Sequence, residues 1–350
     1  MIDLIHYKPR SDRKIIFRCS KIYYFQVDEG FGGIGDRMVG LVSTFILSLL
    51  LNFDFRIYWI YPLKLSDIFN EKNNILWNKK DYDLKILNEI RLMDHDIFDE
   101  NKIDLLVNKI HNLNEDLSIV SNKFFVYHLI KNKNLYERIK LLNINEISVY
   151  HDVMHILFNF NDSLQIKYNK LLFNFSEYFT IGIQIRSYIH EYNIELNDSD
   201  YNEYIDYIDN IIDKNKNKNI MLFICSDTKS TSDYFSKKYN KYKQLIISGD
   251  IVHLEKTSIY NKDLNNNIRL FIEIYGLGKC NELIITNSSN FGRLGSLRTL
   301  KKPFICYKLI SPHPNRYNRD TFKMPDIDLK KKYKKFSWYN ILTKDNLYNI

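Results

Sequence analysis

The 350-residue sequence is poor in residues that bend or cross-link a chain, with 11 glycines, 6 prolines and 4 cysteines. So little glycine and proline excludes collagen-like and low-complexity chains, and a hydrophobic content of 45% is sufficient for a large folded core. The cysteines follow no disulfide or metal-binding spacing, which is typical of a reducing compartment. They are Cys19, Cys225, Cys280 and Cys306. A chain of this length predicts two domains of ordinary size.

Targeting and membrane-spanning patterns are also lacking. Residues 1–18 mix charged residues with short apolar pieces and contain no signal-peptide core. The most apolar stretch, Met38 to Leu51, is interrupted and shorter than the roughly 20 residues that cross a bilayer. We therefore expect a cytoplasmic protein without a transmembrane segment.

Nothing in the sequence favours nucleic acid or a bound metal. The formal net charge is +8, but the basic residues are scattered apart from Lys330 to Lys335, which we interpret as a solvated tail. No H-E-x-x-H pattern occurs, so no protein-bound catalytic metal is expected. The acidic triplet Asp198-Ser199-Asp200 is similar to metal-holding triplets of some glycosyltransferases, but its place before a helix favours N-capping.

The first part of the chain begins with an alternating strand and helix pattern. We predict a strand from Ile22 to Val27, a glycine loop from Asp28 to Gly35, a helix from Arg37 to Leu51 and a strand from Phe53 to Ile60. This predicts an N-terminal α/β domain over residues 1–158.

The second part shows the same alternation more clearly. Strands are predicted at Phe179 to Ile185, Ile220 to Cys225, Gln244 to Ser248, Leu283 to Ile285 and Phe304 to Tyr307, and helices at Asp162 to Phe175, Asp200 to Lys214, Ser230 to Tyr239, Leu264 to Gly276 and Phe291 to Leu300. Such alternation implies a parallel sheet covered on both faces. We therefore predict a second α/β domain over residues 159–318, followed by a basic tail over 319–350.

The glycine loop Gly30-Phe31-Gly32-Gly33-Ile34-Gly35 matches the dinucleotide fingerprint G-x-G-x-x-G between a strand and a helix. A dinucleotide site also needs an acid at the end of the second strand, and the residues from Tyr58 to Pro62 include none. NAD-type binding is therefore one alternative. The other is a loop that lets a different ligand approach the backbone, with Asp36 and Arg37 at the start of the following helix.

Two charged residues stand at predicted strand ends in the second part. Arg186 ends the apolar run from Ile181, and ligands of parallel sheets bind outside the carboxyl ends of the strands. Its planar guanidinium suits a diphosphate, whereas a salt bridge at a domain interface is the alternative. Asp227 ends the next strand and could accept hydrogen bonds from a ribose or a nucleobase amide, or simply cap a turn.

A strand, loop, helix and strand unit runs from Ile284 to Tyr307. Ser288 and Ser289 lie near the predicted helix N-terminus, where unpaired backbone N–H groups and the helix dipole favour an anion. The alternative is that Ser289 or Asn290 only caps the helix.

Three segments, in this order, resemble motifs of the fucosyltransferase superfamily, most closely its plant xyloglucan fucosyltransferase branch. They are Gly32 to Trp59, Ile181 to Arg186 and Thr286 to Tyr307. The segment from Ser248 to Lys256, between the second and third of these segments, also lies where the resemblance predicts a match. The resemblance implies a GT-B fold, an α/β architecture of two Rossmann-like domains facing a cleft. It also implies inverting transfer of fucose from GDP-fucose to a glycan hydroxyl, with no metal or other cofactor.

The resemblance also implies roles for individual residues. Arg186 would stabilise the departing diphosphate, and Glu29 or Asp36 would be the catalytic base. Donor-binding positions are Gly33, Gly35, Arg37, Arg186, Asp227, Ser288, Ser289, Phe291 and Gly292. Gln184 and Ile189 stand where many relatives carry a histidine and an acid, and Asp36 stands where the plant branch usually has asparagine. A neutral loop residue with an activated water is therefore an alternative to either base.

Two other functions remain open from the sequence. A nucleotide-dependent oxidoreductase or epimerase would depend on Gly30 and Gly32 and not on Arg186 or Ser288. A non-catalytic protein that binds a nucleotide sugar or glycan would keep the donor site without the base.

Overall fold

The computed structural model describes residues 1–19, 33–59, 63–82, 88–92, 100–123, 125–187, 196–248, 264–287, 289–298, 300 and 302–306. The chain divides into two compact units, one built on Met1–Gln165 and one that starts at Ile166. The predicted strand from Ile22 to Val27 and the predicted tail over 319–350 lie outside the described residues. The domain boundaries given above remain predictions.

The first unit contains a parallel sheet with the strand order β2-β1-β5-β4 and a separate antiparallel pair, β3 and β6. Its strands are β1 (Arg10–Cys19), β2 (Phe53–Trp59), β3 (Phe69–Glu71), β4 (Asn88–Leu92), β5 (Leu117–Ser121) and β6 (Phe158–Phe160). Its helices are α1 (Ile34–Leu51), α2 (Glu100–His111), α3 (Val126–Lys131), α4 (Tyr136–Leu141) and α5 (Val149–Leu157), with short 3-10 turns at Leu65–Asp67 and Lys133–Leu135.

Strand β1 was not predicted, because its apolar centre is only three residues long and is flanked by charged residues. Ile15, Ile16 and Phe17 are fully buried between β2 and β5. The flanking charges have partners far along the chain: the Arg18 guanidinium lies 2.9 Å from Glu89, and Lys14 lies 3.6 Å from Asp116. These ion pairs form only in the folded state, so the local sequence gives no sign that the segment is a central strand.

Helix α1 is the core of the first unit, since nearly every side chain along it is buried. Gly40 lies directly on the end of β5, where a Cβ atom would be 1.9 Å from the Ser121 carbonyl oxygen. By length and composition alone α1 could also cross a bilayer, so the expectation that its apolar stretch is too short is not confirmed. The helix is 94% buried within the protein, and a packed core helix has the same length and composition.

The second unit is an α/β domain around one parallel sheet with the strand order β11-β10-β7-β8-β9. Its strands are β7 (Phe179–Ile185), β8 (Ile220–Ser226), β9 (Lys243–Leu245), β10 (Glu282–Thr286) and β11 (Phe304–Cys306). Its helices are α6 (Asp162–Leu171), α7 (Asn202–Lys214), α8 (Lys229–Lys238), α9 (Leu264–Leu277) and α10 (Asn290–Leu297), with 3-10 turns at Phe173–Glu177 and Asp198–Tyr201. The unit boundary falls inside α6. The predicted alternation of strands and helices is confirmed.

One face of this second sheet is closed by aromatic residues of α7 and α8. Tyr204 and Phe235 are fully buried, with ring centroids 5.9 Å apart, and they pack with the isoleucines of β7. Burying side chains of this size contributes about 2–3 kcal/mol each. This packing holds the carboxyl ends of the strands in a fixed arrangement.

A buried ion pair lies on α9. The Arg269 Nε atom is 2.6 Å from a Glu273 carboxylate oxygen, one helical turn away, and the two residues are 5% and 4% exposed. Burial raises the pKa of Glu273 to about 7, while Arg269 acts in the opposite direction. A carboxyl group whose pKa is raised on folding binds its proton more tightly in the folded state than in the unfolded state.

We expect the free energy of unfolding to fall as the pH rises from about 4.5 to about 7, the two pKa values of Glu273. Stability from this group is fully present below the unfolded-state pKa and is lost as the pH passes the folded-state value. Urea unfolding from pH 5 to pH 8 measures this slope. Glu273→Gln, which carries no titrating proton, should flatten it; an identical slope in the variant would assign the dependence to other groups.

Candidate functional site

The chain order of the second sheet reverses at β7. From this strand the chain continues to β8 on one side, whereas β10 lies on the other side. In open parallel sheets, ligands bind outside the carboxyl ends of the strands at such a switch point. The segments that follow β7, β8 and β10 carry Arg186, Asp227 and Ser289, so three predicted site residues lie at the same edge of one sheet.

Arg186 and Asp227 are in contact. The Arg186 Nη1 atom lies 3.4 Å from Asp227 Oδ2, and the two side chains are 20% and 13% exposed. The other Asp227 oxygen, Oδ1, accepts hydrogen bonds from the Ser187 N–H at 2.7 Å and the Ser187 hydroxyl at 2.6 Å. Arg186 therefore does form a salt bridge, which the sequence analysis gave as the alternative to diphosphate binding. Both partners of this salt bridge lie within the second unit and not at a domain interface.

The backbone at Arg186 is held by a chain of hydrogen bonds that sequence analysis missed. The Arg186 N–H donates to the Thr286 hydroxyl at 2.7 Å, and Thr286 is 2.6 Å from the Tyr204 hydroxyl. Tyr204 in turn donates to the Gln184 carbonyl at 3.0 Å. Burial raises the pKa of the Tyr204 hydroxyl well above its usual value, so it stays protonated and can donate. This chain ties β7, β10 and α7 together at the switch point.

No local signal could have identified Tyr204. Its position on the apolar face of a helix predicts only a core residue, because hydrophobic periodicity does not show which polar group the hydroxyl will reach. The contact depends on the register between β7 and β10, which places Ile285 beside Gln184.

Ser289 is the N-cap of α10. Its hydroxyl accepts the Gly292 N–H at 3.3 Å, and the residue is 4% exposed, so the capping interpretation holds for Ser289. Ser288 lies outside the described residues. The remaining N–H groups of the first turn still favour an anion at this helix end, as does the helix dipole.

Gly292 lets α10 lie directly on the sheet. A Cβ atom there would be 2.4 Å from Gln184 Oε1 and 2.9 Å from Ile285 Cβ. The same Gln184 oxygen lies 3.3 Å from the Thr286 backbone nitrogen, which donates to it. Gln184 therefore helps to hold the α10 end of the site. Phe291, the other predicted residue of this turn, is half-buried.

The predicted site residues of the first unit lie at the start of α1. Gly33 is the N-cap in an extended conformation, and its N–H donates to Asp36 Oδ2 at 3.1 Å. Asp36 is half-buried and stabilises the N-terminus of the helix, as an acid in the first turn does. Gly35 is buried inside the helix rather than in a loop. The proposed base Glu29 lies outside the described residues.

Arg37 is buried, with 2% of its surface exposed. Its Nη1 atom donates to Cys19 Sγ at 3.4 Å, and its guanidinium lies 5.8 Å from the centre of the Trp59 ring. These contacts place it on the carboxyl ends of β1 and β2. Its assignment to donor binding stays a prediction.

Among the residues that the structure describes, no group of three or more His, Cys, Asp or Glu side chains is placed to hold a metal ion. His151 and His155 have an H-x-x-x-H spacing that the sequence analysis overlooked, and their ring centroids are 4.4 Å apart on α5. Asp200 accepts the Asn197 N–H at 2.9 Å, which fits N-capping.

Comparison with known proteins finds solved structures that share this architecture. No family model and no curated protein matches the sequence. Among solved structures, the chain is similar to a mutant of Arabidopsis thaliana FUT1 in complex with GDP, with a TM-score of 0.58 and 16% identity over 87% of this chain and 72% of that one. It is also similar to the fucosyltransferase NodZ from Bradyrhizobium, with a TM-score of 0.50 and 14% identity over 82% of this chain and 92% of that one. The fold is therefore that of GT-B fucosyltransferases with Rossmann-like domains, and the predicted fold class is confirmed.

Proposed function

We propose that this chain is a fucosyltransferase that transfers fucose from GDP-fucose to a sugar hydroxyl of a glycan. The observation that carries the proposal is Arg186, which stands at the switch point of the second sheet and whose backbone is held by Thr286, three residues before the N-cap of α10. The fold supports it, because the FUT1 structure that it resembles was determined with GDP.

The proposed mechanism is inverting and needs no metal. As the bond from the sugar to the diphosphate breaks, negative charge develops on the leaving oxygen and positive charge on the sugar ring. Groups aimed in advance at the developing charge are usually the largest catalytic contribution. The Arg186 guanidinium and the N–H groups at the start of α10 would stabilise the diphosphate. Glu29 or Asp36 would accept the proton of the acceptor hydroxyl.

One observation favours a second candidate, a non-catalytic protein that binds a nucleotide sugar. The Asp36 carboxylate accepts a hydrogen bond from the Gly33 N–H at the helix N-terminus, so part of its acceptor capacity serves the cap of α1 and not an acceptor hydroxyl. If Glu29 is not the base either, the protein would bind the nucleotide sugar at the donor site but would not transfer the sugar. Release of fucose from GDP-fucose separates the two: an enzyme of this class consumes its donor, at least slowly with water as the acceptor, and a binding protein leaves it intact.

The nucleotide preference is tested by thermal unfolding with GDP, UDP, GDP-fucose and NAD. A ligand present at a hundred times its Kd stabilises the folded state by about 2.7 kcal/mol. We expect GDP and GDP-fucose to raise the Tm and UDP and NAD to have little effect. A shift with NAD alone would contradict the proposal and favour the oxidoreductase that the glycine loop suggests.

Chelation tests the proposed independence from metals. We expect EDTA to leave transfer or donor hydrolysis unchanged, since Arg186 and the α10 N-terminus supply the positive charge that a metal provides in other enzymes. The rate is measured before and after dialysis against EDTA, and again after manganese is added. Complete loss that manganese restores would overturn this step and point to ligands such as Asp198 and Asp200.

A further inference from the structure

Asp227 lies against two parts of the segment that follows β7. Its Oδ1 atom accepts both the N–H and the hydroxyl hydrogen of Ser187, and its Oδ2 atom lies 3.4 Å from Arg186 Nη1. One carboxylate thus fixes the backbone just after Arg186 and the guanidinium itself. The Ser187 hydroxyl is also 3.4 Å from the hydroxyl of Thr228, the N-cap of α8.

The charge of Asp227 argues against direct contact with a diphosphate. Two like charges 4 Å apart repel by several kcal/mol near a protein surface, and this carboxylate lies beside the cation that would bind the diphosphate. Its contacts also occupy three of the roughly four acceptor positions that a carboxylate offers. A carboxylate in this position suits holding a neighbouring cation better than holding an anionic ligand.

We propose that Asp227 is a positioning residue, which acts on the donor through Arg186 rather than by touching the ribose or the base. The inference rests on the proposed function. The ion pair orients the guanidinium while the Ser187 contacts fix the chain on which it stands. Binding of the diphosphate then costs less side-chain entropy, because Arg186 is already ordered.

A double-mutant cycle tests this, with GDP affinity measured by calorimetry for the full chain. We expect Asp227→Ala to weaken GDP binding about fivefold, as the loss of a partly exposed ion pair does. Asp227→Asn keeps an oxygen that can accept hydrogen bonds from Ser187 but removes the negative charge. A similar loss of GDP affinity in this variant would show that the loss comes from the missing charge and not from a disturbed fold. In an Arg186→Ala background, Asp227→Ala should change GDP affinity by less than about twofold, because the guanidinium on which it acts is missing. In an Arg186→Lys background, the loss caused by Asp227→Ala should be smaller than about fivefold.

Tyr204→Phe is the structural control. It removes a buried hydroxyl at the same junction but no charge, so it should lower the melting temperature while weakening GDP binding less than Asp227→Asn does. An undiminished fivefold loss for Asp227→Ala when Arg186 is absent would overturn the inference and assign Asp227 to direct contact with the nucleotide. Equal GDP affinity in the wild type and Asp227→Asn would also overturn it. A wild-type protein that binds no GDP would instead overturn the proposed function, and this inference with it.

Discussion

Arg186→Ala is expected to weaken GDP binding ten- to hundredfold without unfolding the protein. The substitution removes charge-assisted hydrogen bonds to the diphosphate, which are worth roughly 1.5–3 kcal/mol. The side chain is 20% exposed and its backbone N–H still donates to Thr286, so the fold should persist. Calorimetry with GDP measures the loss, and the melting temperature reports on the fold.

Two further variants make this result specific. Arg186→Lys should recover only part of the affinity, because an ammonium group lacks the planar fork of a guanidinium. Lys214→Ala is the matched control, since it also removes one positive charge from the second unit but at the exposed C-terminal end of α7. It should change GDP affinity less than twofold. Equal losses in Lys214→Ala and Arg186→Ala would show that net charge, and not the position of Arg186, governs binding.

Gly40→Ala is expected to destabilise the protein by about 3 kcal/mol, although alanine is the better helix former by about 1 kcal/mol. The added Cβ atom would lie 1.9 Å from the Ser121 oxygen and 2.6 Å from the Ser121 carbonyl carbon. These are backbone atoms of β5, so α1 and the strand must separate, and the buried contacts along the helix are lost with them.

Urea unfolding compares Gly40→Ala with a control on the same helix. Ser48→Ala removes a hydroxyl that donates to Phe45 within α1, adds no volume, and should cost about 1 kcal/mol or less. A stability for Gly40→Ala equal to or above that of the wild type would contradict the close approach of α1 to β5.

Apolar patterning predicted the second unit well. The run from Phe179 to Ile185 is a strand with the predicted bounds, and the strands at Ile220 and Leu283 were also correctly predicted. These strands are buried on both faces, so they appear in the sequence as continuous hydrophobic runs. The position of Arg186 at a carboxyl end followed directly from that pattern.

The parts that the sequence did not show depend on contacts between distant segments. Strand β1 is central although it is rich in charge, because Glu89 and Asp116 neutralise Arg18 and Lys14. Likewise the sequence predicted that Asp227 stands at a strand end, but it did not predict the contacts of Asp227 with Ser187 and Arg186. These contacts form only because β7 and β8 pair in a particular register. The place of Arg37 at a helix start likewise gave no sign that its side chain would be buried against Cys19 and Trp59.

Hydrogen–deuterium exchange with and without GDP tests most directly where the donor binds. We expect slower exchange at the amides of Arg186 and Ser187, at Asp227 and Thr228, and in the first turn of α10, with no change at the amino ends of β7 and β8. Protection confined to the start of α1, from Gly33 to Arg37, with unchanged exchange at Arg186 and in α10, would contradict the assignment of the donor site to the second sheet.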